Sequence, residues 1–299
     1  MYHGIINIYK EAGYTSHDVV AKLRGILGQK KIGHTGTLDP DATGVLPVCL
    51  GVGTKLCDML TDENKEYVAL LRFGVTTDTQ DLSGTVLDRQ EVTITDKQAA
   101  EIAAGFLGTY EQIPPMYSAL KVNGRKLYEL AREGREVERK ARTVRIEELE
   151  ILKTELPAMK MRIVCSKGTY IRTLCDDIGK KAGCGAAMEF LQRTRVGKFR
   201  IENALTLSDV ETLRTDGGLE EHIVPSDAVF PDLACAKVRH KYRKLLENGN
   251  CLAAEMTEDC KRTGDGGQIR VYDDQGLFFG IYRYEERTDT LFPVKMFIR

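Results

Sequence analysis

Gly33-His34-Thr35-Gly36-Thr37-Leu38-Asp39-Pro40-Asp41-Ala42-Thr43-Gly44 sets one carboxylate, Asp39, in a backbone of unusual constraint. Its three glycines permit tight turns and the close approach of a ligand. Pro40 has a fixed φ and drives Asp39 toward an extended conformation. A backbone restricted on both sides of a carboxylate aims that carboxylate. Before this segment, residues 4–9 read as a strand. Ser16 reads as the N-cap of a helix with Val19, Val20, Leu23, Ile26 and Leu27 on one face and Gly28 as its stop. The segment itself is then a loop. Beyond it, 66–73 reads as a strand, 76–84 as a polar Asp/Thr loop, and Asp96 as the cap of a helix through Phe106.

Residues 113–142 differ in character. They open Ile-Pro-Pro-Met-Tyr-Ser-Ala-Leu-Lys and continue through Arg125, Lys126, Arg132, Arg135, Arg139, Lys140 and Arg142. This is too charged for a core and reads as an inserted arm with a short helix. Strands at 143–152 and 159–166 follow, then a turn at Lys167-Gly168 and a helix over 169–181. Pro225 and Pro231 bracket a linker. Beyond it, 236–299 reads as a short basic helix followed by short strands with Gly/Asp turns at 264–267 and 273–276. Strands and helices in this order imply an α+β catalytic domain over 1–232 and a small β-rich domain over 236–299.

The 299 residues leave room for both domains, and 42% hydrophobic content supports a substantial core. There is no 18-residue apolar run and no basic-then-apolar leader, so neither membrane insertion nor secretion is expected. The cysteines (49, 57, 165, 175, 184, 235, 251, 260) form no Cys-x-x-Cys pair and the histidines (3, 17, 34, 222, 240) are scattered, so no zinc site is expected. Cysteines read as small buried hydrophobes fit a reducing cytoplasm. The formal net charge of −1 hides a split. Residues 121–200 hold 20 Lys/Arg against 11 Asp/Glu, and the rest of the chain is acidic. One basic face attracts a polyanion locally while leaving non-specific binding weak.

Asp39-Pro-Asp41-Ala-Thr43 matches the Asp-x-Asp-x-Thr pattern of a phosphatase nucleophile, but that motif ends an apolar strand, and 33–38 supplies only Leu38. The loop Asp78-Thr-Gln-Asp81-Leu-Ser-Gly84 resembles half an EF-hand, with Thr79 and Gln90 where Asp and Glu are needed. No Walker A or dinucleotide fingerprint is present, so a cofactor-free reaction centred on Asp39 is expected. Lys167-Gly168-Thr169-Tyr170-Ile171-Arg172 places a cation in the first turn of a helix, where the macrodipole disfavours it and a carboxylate partner would compensate. Tyr67, on a strand, is either core packing or a ring on which a base stacks.

Six blocks together resemble the TruB family of tRNA pseudouridine synthases. They are 33–47 around Asp39, Lys65-Glu66-Tyr67, Asp78 to Gly84, Pro114-Pro115-Met-Tyr-Ser118-Ala-Leu-Lys121, Lys167 to Arg172, and Leu191-Gln-Arg-Thr. They occur in family order across residues 4–210.

The resemblance implies a pseudouridine-synthase fold: a central mixed, mostly antiparallel sheet flanked by helices, with a PUA-like domain after it. It implies isomerisation of the T-loop uridine at position 55 of tRNA, with no cofactor or metal. Asp39 matches the catalytic aspartate, Tyr67 the tyrosine that stacks on the target base, and Arg172 the arginine that pairs with the aspartate. Arg172 is expected to lower the Asp39 pKa and keep the carboxylate ionised. His34 matches the histidine that enters the T-loop, and Leu191 an apolar wall of the uracil pocket. Tyr170, Lys55, Asp81 and Lys121 match further substrate-site positions. The arm at 113–142 matches an RNA-gripping insertion, and 236–299 would contact the acceptor stem. A monomer with tRNA as partner, and no obligate protein partner, is the expectation. A T-arm-binding folding chaperone and a guide-RNA-dependent synthase are the alternatives.

Overall fold

The computed structural model describes residues 1–122, 124–258 and 263–298; Cys260 lies outside them. The chain opens with β1 (Gly4–Lys10), α1 (Ser16–Leu27), β2 (Ile32–His34) and β3 (Thr43–Leu50). A 3-10 turn at Gly51–Leu56 leads into α2 (Cys57–Thr61) and β4 (Lys65–Phe73), and then a small hairpin of β5 (Val75–Thr77) and β6 (Val86–Arg89). Next come α3 (Asp96–Ala104), β7 (Gly108–Gln112) and the arm, which consists of β8 (Lys121–Val122), β9 (Arg125–Lys126) and α4 (Leu127–Arg132). The long strands β10 (Arg142–Glu155) and β11 (Ala158–Cys165), helix α5 (Ile171–Ala182) and strand β12 (Ala186–Val196) follow. β13 (Phe199–Arg200), α6 (Leu207–Asp216) and β14 (Ile223–Val224) complete this part.

The main sheet runs β14-β1-β3-β12-β4-β11-β10-β7, with β2 and β13 paired at its side. It is mixed: β12 runs parallel to β3 and antiparallel to β4. β4 shows why it is central. Its burial alternates residue by residue, and Tyr67, Ala69, Leu71 and Phe73 share one face. That face packs on Ile171, Leu174, Cys175 and Ile178 of α5. Each large apolar side chain buried there contributes roughly 1.5–3 kcal/mol. Where β12 meets β3, the Gly44 φ of +106° is in the left-handed region, and a side chain there would collide with the Arg193 carbonyl. Only glycine lets the two strands join at that point.

Three helix starts differ from the sequence expectation. Thr15, not Ser16, caps α1: its hydroxyl accepts from Asp18 N, and the Asp18 carboxylate accepts from Thr15 N. Thr15-x-x-Asp18 is a capping box, a signal that Ser16 one residue later obscured. Ser16 Oγ is thereby released and accepts from Leu38 N at 2.9 Å. Thr95 likewise caps α3 through Gln98, so Asp96 is its first residue. α5 begins at Ile171, after Tyr170, whose backbone is gripped on both sides by Gln112. Tyr170 N donates to Gln112 Oε1 at 2.8 Å, and Gln112 Nε2 donates to Tyr170 O at 3.0 Å. The segment 33–44 is a loop only over 35–42, its ends being the strands β2 and β3.

A second sheet holds β15 (Ala234–Val238), β16 (Leu252–Ala253), β17 (Thr257–Glu258), β18 (Gln268–Tyr272), β19 (Phe278–Glu285) and β20 (Thr290–Met296), in the order β16-β20-β19-β18-β15-β17. Its first element is a strand. The short basic helix α7 (Arg243–Glu247) follows rather than leads, because Ala236 and Val238 alternate inward with Cys235 and Lys237 outward. Ile281 and Phe297 pack against Ile5, Val45 and Leu56, so one apolar cluster joins the two sheets. Tyr272 Oη donates to Asp227 Oδ2 at 2.9 Å across the same junction. Among the described residues no helix is long and apolar enough to cross a membrane.

Candidate active site

The loop 35–42 leaves β2 and returns as β3, and four anchors hold it. Thr35 N and Oγ1 both donate to Pro47 O. Leu38 N donates to Ser16 Oγ. Lys10 Nζ, at the end of β1, donates to Pro40 O at 2.8 Å, Ala42 O at 2.6 Å and Glu11 O at 3.0 Å. Arg193 Nε donates to Val45 O at 2.7 Å. Asp39 is thus projected by a loop that is tied on every side.

Opposite it stands Arg172, in the first turn of α5. Its Nε lies 2.9 Å from Asp39 Oδ2, and its Nη2 donates to Asp39 Oδ1 at 3.0 Å, a two-point grip of guanidinium on carboxylate. The rest of the fork is used as well. Nη2 donates to Tyr117 O at 2.8 Å and Nη1 to Thr79 O at 3.1 Å, and Asp81 Oδ2 lies 3.7 Å from Nη1. A cation at a helix N-terminus is unfavourable, and here two carboxylates and two carbonyls compensate it.

Asp39, Tyr67, Asp81, Tyr170, Arg172 and Leu191 all line one cleft of about 1040 Å³. Tyr67 and Leu191 are buried in its wall. The Asp39 side chain keeps 35% of its surface open in the floor. Burial raises the Asp39 pKa above the ordinary carboxylate value. The Arg172 charge opposes that rise and the Asp81 charge adds to it. The sequence expectation of a net lowering is therefore reversed, because Arg172 acts in the expected direction and is outweighed by loss of solvent. Burial also raises the Tyr67 and Tyr170 phenols.

His34 does not line the cleft. It is half-buried at the end of β2 and packs edge-on against His17, which does line it, with ring centroids 5.4 Å apart. Burial, then the His17 charge, lowers the His34 pKa. Lys55 lies outside the cleft: its Nζ donates to Met296 O at 2.7 Å, tying the 3-10 turn to β20. Lys121 is exposed on β8, and the arm instead turns Lys126, Tyr128 and Arg132 to the cleft. Three residues were missed by the sequence reading. Lys10 is fully buried, and burial lowers its pKa to about 8. A lysine ending an apolar strand gives no signal of this. Arg193 is buried in β12, where Leu191-Gln-Arg193 already showed the period-2 pattern that puts it beside Leu191. Gln80 has a φ of +64° and bonds to α5 through Thr173 and Asp176, so the carbonyl before it and the carboxylate after it meet the same guanidinium.

A carboxylate gripped by a guanidinium and faced by a tyrosine, on a mixed sheet with a second β sheet behind it, is the layout of an RNA-modifying isomerase, a pseudouridine synthase. The N-terminal-domain model of the TruB family pseudouridylate synthases matches residues 24–171, and the tRNA pseudouridylate synthase B C-terminal-domain model matches 172–230. The tRNA pseudouridine synthase B of Lachnoclostridium phytofermentans is 51% identical over 99% of this chain and 100% of that protein. That of Alkaliphilus oremlandii is 44% identical over 95% and 94%. A solved H/ACA RNP bound to a substrate RNA containing 2′-deoxyuridine is similar with a TM-score of 0.72 at 25% identity, covering 99% of this chain and 86% of that one. The chain belongs to the TruB family of pseudouridine synthases.

Proposed function

We propose that this protein isomerises the T-loop uridine at position 55 of tRNA to pseudouridine, without a cofactor, as a cytoplasmic monomer. The observation that carries the reading is the Asp39–Arg172 pair, at 2.9 Å, in the floor of a cleft walled by Tyr67 and Leu191. A uridine inside a folded loop is out of reach, so it must leave its stack at a cost of a few kcal/mol and be held elsewhere. Tyr67 offers a ring to the flipped base and Leu191 an apolar wall. His34, beside His17, fills the space the base leaves. Asp39 is the nucleophile, and the bond its carboxylate forms to the nucleoside is broken again before product leaves, which returns the free carboxylate. The C1′–N1 bond breaks, C5 bonds to C1′, the C5 proton is lost and N1 ends protonated, so atoms and charge balance without redox chemistry. Tyr170 and Asp81 complete the site, the second by sharing Arg172 with Asp39.

We read 1–232 as the catalytic unit, the arm at 113–142 as the grip on the T-arm, and 236–299 as a contact to the acceptor stem. The identities favour this over the guide-dependent reading: 51% and 44% to two synthases that act on tRNA, against 25% to the protein in the H/ACA RNP. The test is incubation with unmodified tRNA, with pseudouridine mapped by position. Asp39→Asn keeps an acceptor for Arg172 and so should fold and bind tRNA, while turnover falls below detection. Pseudouridine formation at wild-type rate by that variant would remove Asp39 from the chemistry. Retained tRNA remodelling without isomerisation by the wild-type protein would point to the chaperone instead.

A further inference from the structure

Arg193 is the largest fully buried side chain among the described residues, and nothing in the reaction above uses it. It stands on β12 directly across from Tyr67 on β4, so the two side chains are neighbours on the cleft face. Its Nε holds Val45 O, just after the catalytic loop, and its Nη1 reaches to 3.5 Å of Thr37 O within it. Nη2 is buried and meets no carbonyl or carboxylate, and the guanidinium lies within hydrogen-bonding reach of the Tyr67 phenol, whose charged form it favours. Among the described residues no carboxylate lies within ion-pair distance of it, in contrast to Arg172 on the same cleft and Arg195 two residues on. A buried cation without a carboxylate is costly. A preorganised charge of this kind can stabilise negative charge that develops during a reaction.

The groups around it agree. Lys10 on β1 and Lys65 on β4 are buried cations whose pKa values fall to about 8, from burial first and the Arg193 charge among the other causes. Cys165 on β11 and Asp39 in the loop face Tyr67, and His34 on β2 faces Arg193. Of these, only Asp39 is a carboxylic acid, and Arg172 already engages it.

We propose that Arg193 is a positioning residue of the isomerisation: from behind Tyr67, its unmatched guanidinium fixes the phenol on one side and the loop 35–42 on the other, and its charge reaches the flipped base through that ring. The inference rests on the pseudouridine reading. While the base is detached from C1′, both electrons of the broken bond stay with uracil, and the anion spreads over N1, O2 and O4. A cation held close and free of a carboxylate steadies that anion, and it needs no reorganisation to do so.

The test uses the full-length protein with Tyr67 replaced by 3,5-difluorotyrosine for ¹⁹F NMR, and the Arg193→Met and Arg193→Lys variants with and without that label. Single-turnover isomerisation of unmodified tRNA should slow about 100-fold in Arg193→Met, with tRNA Kd within about threefold. Arg193→Lys, which keeps the charge and loses the fork, should recover about tenfold of that. The fluorinated phenol should titrate at higher pH in Arg193→Met than with Arg193 present, a shift that lost packing alone would not give. A phenol that titrates at the same pH with Arg, Met or Lys overturns the proposal, as does an Arg193→Met rate equal to wild type. Should Arg193→Met fail to fold, the Arg193→Lys rate and titration decide alone. If the wild-type protein forms no pseudouridine in tRNA, the functional reading has failed, and the ¹⁹F comparison still judges the coupling.

Discussion

The cleft floor and the arm both carry cations, and they use them in opposite ways. Lys65 and Arg193 at the cleft and Lys10 behind its loop are buried, and they donate to backbone carbonyls, with the Tyr67 phenol as Arg193's side-chain partner. On the arm, Arg125 pairs with Glu133, Arg135 lies 3.8 Å from the same carboxylate, and Arg139 bonds Glu136. On the sheet nearby, Arg162 is shared among Glu66, Glu148 and Glu150 at 2.8–3.1 Å. A count of charges along the chain puts the basic character at 121–200, and much of that is neutralised in place. The buried cations that shape the site include Lys10, from a part of the chain where the count is acidic. Exposed pairs in high dielectric are weak and can be exchanged for phosphate. Buried cations are fixed and cannot.

The contrast breaks most sharply at Arg172, which belongs to the floor yet is paired. Arg172→Lys keeps the charge but can make neither the two-point grip on Asp39 nor the bonds to Tyr117 O and Thr79 O together. Turnover should fall by about 10²–10³ while tRNA Kd changes little. A rate near wild type would mean that charge alone suffices there, and the geometry would lose its role.

Lys10 comes next. Lys10→Met removes three hydrogen bonds, two of them to the loop carbonyls beside Asp39, so the loop loosens where the carboxylate is aimed. A displacement of about 1 Å there is worth about 10² in rate, and a 10- to 100-fold fall in turnover is expected. Stability carries a separate signature. With its folded pKa at about 8 and its unfolded value near 10.4, the native chain gives up the Lys10 proton first. The unfolded chain then binds more protons between those values, and Lys10 contributes a stability that rises with pH across that window. Chemical unfolding at pH 7.5 and 9.5 should show this rise in the wild type reduced in Lys10→Met, with Lys65 supplying the remainder.

Asp81 tests the coupling of carboxylates across Arg172. Its charge helps raise the Asp39 pKa, so Asp81→Asn should move the acid limb of the kcat profile to lower pH. The sign is fixed. If Asp39 is the nucleophile as proposed, it attacks ionised, activity is lost as pH falls through its pKa, and removing a neighbouring negative charge lowers that pKa. A limb that stays in place would mean Asp81 acts only through the position of Arg172.

What the sequence made legible follows from the same physics. Asp39 and Arg172 stood out from local patterns, a Gly/Pro-bounded loop and a helix start with a misplaced cation, whereas Tyr67 stood open between core packing and stacking and Leu191 came from the family resemblance alone. The structure brings all four to one cleft. Lys55 stands outside that cleft, and its partner, Met296 O, lies 241 residues away and leaves no local trace in the sequence. The sign of the Asp39 shift was misread for a related reason. A charge partner can be guessed from sequence, whereas solvent exclusion by Tyr67, Tyr117 and Leu120 around the cleft is a tertiary sum. The caps at Thr15 and Thr95 were readable in principle through the acid or amide three residues on.

The smallest effect belongs to the arm. Glu133 neutralises Arg125 and approaches Arg135, both exposed, and the three residues sit beside α4, whose Tyr128 and Arg132 turn toward the cleft. If the arm grips RNA, phosphate replaces Glu133 on binding, and the pair is a resting arrangement. Glu133→Gln should then leave thermal stability unchanged and tighten tRNA binding a fewfold by freeing both arginines. Arg125→Ala should weaken binding a fewfold and lower the slope of log K against log salt by about 1. Single-turnover chemistry on bound tRNA should be the same in both, because neither residue reaches the floor. Binding and salt slope unchanged in both variants would assign the arm's charges to its own folding, and the contrast between fixed and exchangeable cations would reduce to buried against merely exposed.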